Sequence, residues 1–160
     1  MIFVRPATPD DAPVLTALLN AIIAAGGTTA HQTPYSPAQF ADHYLTGPHA
    51  IACHLAQQGP MVVGFQVLGQ EDGLPDGWAD IGTFVAEAAR GTGAAAMLFR
   101  ATKAVAARRG VCAINATIRA DNAGGLRYYD KMGFTDYARH PDWALDDGTV
   151  VGRVSKRFDL

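Results

Sequence analysis

The sequence predicts an α+β fold with helices laid on a mixed, largely antiparallel central sheet, and three observations lead there. Between residues 51 and 86, three apolar, partly β-branched runs follow one another with turn residues rather than helices between them. Two helical patterns precede that block, so the chain does not alternate strictly between strand and helix. After it, helix and strand alternate twice before two closing strands. The expected order is β-α-α-β-β-β-α-β-α-β-β.

Each element has a local reason. Ile2 to Arg5 alternates as a strand and meets Thr8-Pro9-Asp10-Asp11, an N-cap, a Pro at the first helical position and acidic residues in the first turn. Val14, Leu15, Leu18, Leu19, Ile22 and Ile23 then recur at helical spacing until Gly26-Gly27. Thr28 to Tyr35 reads as a loop, and Ser36-Pro37 starts a second helix that ends at Gly47-Pro48. Ile51 to Gln57, Met61 to Gln70 and Trp78 to Ala86 are antiparallel strands. Thr92 to Arg109 is a helix rich in Ala, Leu and Met with Leu98, Ala101 and Val105 on one stripe, closed by Gly110. Val111 to Ile118 is a strand, Asn122 to Met132 a helix, and Phe134 to Arg139 and Val150 to Phe158 the last two strands.

At 160 residues, 49% hydrophobic and 18% charged, the chain suits one domain over residues 1–160 that buries roughly 70% of its extended surface. A net charge of -2 gives no reason to hold a polyanion, which argues against nucleic acid and anionic membrane as partners. No apolar run reaches the roughly 18 residues of a membrane span and the first residues lack a signal-peptide layout, so the expectation is cytoplasmic. Cys53 and Cys112 each sit in an apolar run and read as buried thiols, while the five histidines read as surface and loop residues without zinc spacing. No metal is expected.

The informative stretch is Ala79 to Ala96, a strand linked to a glycine-rich helix start, Arg90-Gly91-Thr92-Gly93-Ala94-Ala95. Free N–H groups and the helix dipole there favour an anion, and Arg90 adds a charge suited to phosphate, so a pyrophosphate is the natural guest. The alternative is a glycine turn that only packs a helix on a sheet. A P-loop is excluded because Gly93 is followed by Ala94-Ala95 instead of Lys and a hydroxyl residue. The five residues from Ala86 to Arg90 spoil the tight turn of a dinucleotide fingerprint.

These residues resemble the GNAT superfamily of acetyl-CoA-dependent N-acetyltransferases. Arg90-Gly91-Thr92-Gly93-Ala94-Ala95 matches the family's Gln/Arg-x-x-Gly-x-Gly/Ala signature, and Asn122 to Phe134 matches Asn-x-x-Ala-x-x-Leu-Tyr-Glu-Lys-x-Gly-Phe, with Gly125, Tyr128 and Asp130 replacing Ala, Leu and Glu. The resemblance covers nearly the whole chain. Arg5-Pro6-Ala7-Thr8 and Thr28-Thr29-Ala30 also resemble the phosphinothricin-acetyltransferase-like branch, which commonly carries His where Tyr129 stands.

The resemblance implies acetyl-CoA as co-substrate and a primary amine, small or amino-acid-like, as acceptor, attacked directly in a ternary complex. Backbone groups around Phe84 and Val85 would hold the pantetheine arm and polarise the acetyl carbonyl, and residues 90 to 95 would hold the pyrophosphate. Asn122 would hold the pantetheine or a loop beside it. Tyr129 would donate a proton to the departing thiolate; its other reading is an amphipathic core tyrosine. Tyr128 reads as packing. Asp80 would take the amine's proton, or else is a solvated strand-end carboxylate. His31, Tyr35, His140, Asp142 and Trp143, in the two loops where the family admits acceptors, would line a polar pocket for a cationic or zwitterionic amine. A homodimer is compatible with the resemblance. The competing reading is a non-catalytic acyl-CoA-binding or regulatory domain.

Overall fold

A computed structural model describes residues 1–160. Seven strands and four helices follow in the predicted order: β1 (Ile2–Pro6), α1 (Ala12–Ala25), α2 (Pro37–Phe40), β2 (Ala50–Gln58), β3 (Met61–Gly69), β4 (Trp78–Val85), α3 (Ala94–Arg108), β5 (Ala113–Arg119), α4 (Ala123–Met132), β6 (Thr135–His140) and β7 (Arg153–Asp159). They form one sheet in the order β1-β2-β3-β4-β5-β7-β6. Every neighbouring pair is antiparallel except β4 with β5.

Strand alternation sends side chains to two cores. Leu68, Ile81, Ile114 and Phe134 pack with Phe99 on the α3/α4 face. Phe65, Val67 and Phe84 pack with Leu15, Leu19 and Phe40 on the α1/α2 face. No helix is long and apolar enough to cross a membrane.

Several expectations shift. In α1 the buried stripe is Leu15, Leu19 and Ile23, while Val14 is exposed at the edge of the face. The second helix makes one capped turn, in which the Ser36 hydroxyl accepts from the Gln39 N–H, and then widens into a π-helical turn over Ala41–Thr46. Gly47 closes that wide turn because a Cβ there would lie 1.8 Å from the Asp42 carbonyl oxygen. In α3 the stripe is Ala94, Leu98, Phe99, Thr102 and Ala106, leaving Ala101 and Val105 only half-buried. The large Phe99 ring, set against Phe134 and Phe158, fixes that rotation.

Strand β7 starts at Arg153 instead of Val150, since Val150 makes only an isolated bridge to Ala144 in the preceding loop. Cys53 is buried, and burial pushes its thiol up to about 12. Cys112, expected to be buried, is exposed because it precedes the first sheet residue of β5. His54, expected at the surface, lies in the middle of β2, paired with Gln66, and is buried.

Lys156, only 3% exposed, binds Asp130 at 2.6 Å and Asp136, fastening β7 to α4 and β6. Replacing both carboxylates, Asp130→Asn with Asp136→Asn, strands a buried ammonium and should cost about 3–5 kcal/mol in a denaturant melt, whereas Lys156→Met should cost far less.

Candidate active site

The parallel pair β4/β5 is short. It is registered only from Trp78 opposite Ala113 to Asp80 opposite Asn115. Beyond that, β4 stays with β3 through Val85 and β5 stays with β7 through Arg119, so the two strands diverge. The gap is the floor of a cleft of about 1260 Å³ reached by both faces of the sheet. The Ala86 N–H donates to the Val63 carbonyl at 2.8 Å. Antiparallel alternation then turns the amide of Phe84 toward β3 and leaves those of Thr83 and Val85 facing the gap. The Phe84 ring is in the core, stacked on Phe65 at 4.8 Å.

At one end lies the glycine loop. Gly91 and Gly93 have φ of +80° and +87°, and a Cβ on either would meet nothing within 4 Å, so the backbone itself faces open space. Gly93 caps α3 without a side chain, leaving first-turn N–H groups without intrahelical partners. Arg90, Gly91, Gly93, Ala94 and Ala95 line the cleft, and Arg90 makes no ion pair. Thr92 does not line it; its hydroxyl donates to the Ala89 carbonyl at 2.6 Å and braces the loop. The arrangement fits a pyrophosphate by donor chemistry and by room. Gly93→Val would force a left-handed backbone on a β-branched residue and fill the space before the N–H groups. The expected result is a CoA affinity lower by about tenfold or more in calorimetry, from a protein that still folds cooperatively but melts somewhat lower because of the strained backbone.

Tyr129 of α4 is 6% exposed and lines the same cleft. Its hydroxyl is 2.7 Å from the Thr83 hydroxyl, which accepts from Gln66 Nε2 at 2.9 Å. With that acceptor position filled, the Thr83 hydrogen can point at the Tyr129 oxygen and free the phenolic hydrogen for the cleft. Burial raises the Tyr129 pKa above its ordinary value, against the opposing Thr83 hydrogen bond. Tyr128 also lines the cleft, but its hydroxyl is spent on the Ala95 carbonyl at 2.8 Å and accepts from Gln66 at 3.1 Å.

Across the sheet, on the α1/α2 face, Asn115 Nδ2 donates to Asp80 Oδ1 at 2.7 Å and the Tyr137 hydroxyl donates to Asn115 Oδ1. Burial raises the Asp80 carboxyl to about 7, with Asn115 opposing and Glu71 adding a smaller push. Asn122 caps α4 by accepting from the Gly125 N–H at 3.0 Å and donates to the Thr28 carbonyl at 3.1 Å, tying down the loop after α1. A Cβ at Gly125 would sit 2.5 Å from Asn122 Nδ2, so a larger residue there would push the Asn122 amide aside.

His31, His140 and Trp143 reach the cleft; Tyr35 and Asp142 do not line it. Tyr35 is clamped through its backbone to Asn20 and stacks behind on Tyr44, and Asp142 borders a shallow neighbouring depression. His31 Nε2 lies 3.1 Å from the Tyr44 hydroxyl, and burial lowers its pKa. Thr83, Gln66, Asn115 and Tyr137 were not anticipated. For Gln66 and Asn115 the signal was present: each is a polar residue inside an apolar strand run.

The fold is shared with solved acetyltransferases. A GCN5-related N-acetyltransferase from Kribbella flavida is 24% identical, with 99% of this chain and 98% of that one covered and a TM-score of 0.84. The Salmonella typhimurium protein yncA, solved with its cofactor acetyl-CoA, is 19% identical over 100% of this chain and 94% of its own, with a TM-score of 0.85. A chain provisionally assigned as a phosphinothricin N-acetyltransferase is 22% identical over 100% and 99%, with a TM-score of 0.84. The sequence has no significant match among curated proteins. The sequence model of the Acetyltransferase (GNAT) family matches residues 17–134, well over half of the chain. With that match, a sheet opened between β4 and β5 and a glycine-capped α3 at its end, the chain belongs to the GNAT family and is an N-acetyltransferase of that type.

Proposed function

We propose that the chain transfers the acetyl group of acetyl-CoA to a primary amine by direct attack in a ternary complex. The observation that carries this reading is that Tyr129 and Asp80 approach one cleft from opposite faces of the sheet, through the gap between β4 and β5. Residues 90 to 95 bind the pyrophosphate by backbone N–H groups and Arg90. The Val85 N–H, turned into the gap, donates to the acetyl oxygen and stabilises the charge that develops there.

Asp80, ionised above pH about 7, accepts a proton from the incoming ammonium directly or through water. The neutral nitrogen attacks the acyl carbon and forms the C–N bond; as the C–S bond breaks, the nitrogen sheds its second proton to water, leaving the amide and the thiolate. Tyr129 donates a hydrogen bond to the departing sulfur. Since burial raises its pKa above that of a thiol, about 8.5, the phenol keeps most of its proton until solvent protonates the thiolate. Asn122 acts by holding the Thr28 loop beside the cleft.

The test is a panel of primary amines incubated with acetyl-CoA, read by free thiol and by mass of the acetylated product. Equal amounts of thiol and acetyl-amine support transfer. Thiol without acetyl-amine would reduce the activity to hydrolysis.

A further inference from the structure

We infer that Arg153 is an anchor for an anionic group on the acceptor, so that the preferred substrate is a primary amine that also carries a carboxylate or a similar oxyanion. The inference rests on the transfer reading above and adds the acceptor's class to it.

Arg153 is the exception among the arginines. Arg5, Arg119, Arg139 and Arg157 each pair with an aspartate. The arginines outside those pairs are exposed, except Arg153, which is half-buried. Its Nε is buried with no hydrogen-bond partner. A buried N–H donor left without an acceptor is costly, and a ligand oxyanion would supply one. The planar fork suits a carboxylate bidentately.

Its position is that of an acceptor contact. Arg153 lines the same cleft as Asp80 and Tyr129. In β7 it shares a face with Ser155 and Arg157, and Arg157 stacks over Trp78 at 4.6 Å, so this is the α1/α2 face that carries Asp80. Arg153 stands opposite Arg119, four residues past Asn115, which itself stands opposite Asp80. That offset brings it level with the end of β4, across the opened gap from Val85. The Trp143 ring lies 5.4 Å from its guanidinium carbon and holds the side chain without neutralising it. No carboxylate lies within ion-pair distance of it, Asp142 included. The cleft thus offers a carboxylate that takes a proton at one point and a cation at another, the complement of an ammonium and a carboxylate in one molecule.

The test uses matched acceptors, amino acids and their carboxamides, with acetyl-CoA. Wild-type protein should favour the acid over the amide by about tenfold or more in kcat/KM, mostly through KM. Arg153→Gln should remove that preference and leave the KM for acetyl-CoA unchanged, which also reports an intact fold. Arg153→Lys should restore part of it. Equal use of acid and amide by wild type, or a preference that survives Arg153→Gln, overturns the anchor while leaving acetyl transfer standing. If neither acceptor is turned over, calorimetry on the CoA complex decides. Binding of the acid that is lost in Arg153→Gln keeps the anchor and rejects transfer; no binding to wild type rejects both.

Discussion

Tyr129→Phe should lower the rate of a single turnover by roughly 10²- to 10⁴-fold while acetyl-CoA binds as before. The substitution deletes one hydroxyl and keeps the ring, which packs edge-on against Phe134 at 5.0 Å. In the folded protein it removes one hydrogen bond, to Thr83, whose hydroxyl still accepts from Gln66. The stability cost should therefore be about 1 kcal/mol. Tyr128→Phe is the control. Its hydroxyl holds the Ala95 carbonyl at the start of α3, so its loss should disturb acetyl-CoA affinity more than the chemical step. Single-turnover thiol release with both variants separates the two tyrosines, and equal rates for Tyr129→Phe and wild type would remove the phenol's hydrogen bond to the departing sulfur from the mechanism.

Asp80→Asn should cost about 10²-fold in kcat/KM near pH 8 and reshape the pH profile. In the folded protein the carboxyl titrates at about 7 instead of 3.8, first because burial disfavours its charge. The wild-type rate should rise with pH up to about 7 as the carboxylate forms and then flatten. In the variant the rate should keep rising toward the ionisation of a free alkyl amine, at roughly pH 10, so the deficit narrows there. Stability has the opposite sign. A carboxyl raised on folding binds its proton more tightly in the native state, so the native state loses stability as pH climbs from 3.8 through about 7. Asp80→Asn abolishes that loss and should melt higher than wild type at pH 8 while turning over more slowly. A profile that matches wild type would remove Asp80 from proton transfer.

Much of this was legible in the sequence for identifiable reasons. Caps, glycine stops and apolar periods are local, and they placed every strand and helix in order. The glycine loop is local too: its function depends on backbone exposure, which residue type alone reports. What the sequence hid was set by packing across distant segments. The α3 stripe rotates because Phe99 meets Phe134 and Phe158, and no local pattern weighs those rings against Ala101 and Val105. Tyr35 and Asp142 lie on the predicted loops, yet the Asn20 clamp and the turn before β7 carry them away from the cleft. Arg153 carries no local signal at all, since the absence of a counter-charge is a property of all its neighbours together.

The central claim is that a CoA-held acetyl group passes directly to an amine in the gap between β4 and β5. Rapid-quench mass spectrometry of a single turnover, with acetyl-CoA bound and an amino acid acceptor added, tests it most directly. The account predicts acetyl-amine appearing at the rate of thiol release, no acetylated protein at any time, and both processes slowed together in Tyr129→Phe. Acetyl-CoA that binds through residues 90 to 95 but is never consumed by any amine would contradict it and make the chain an acyl-CoA-binding module.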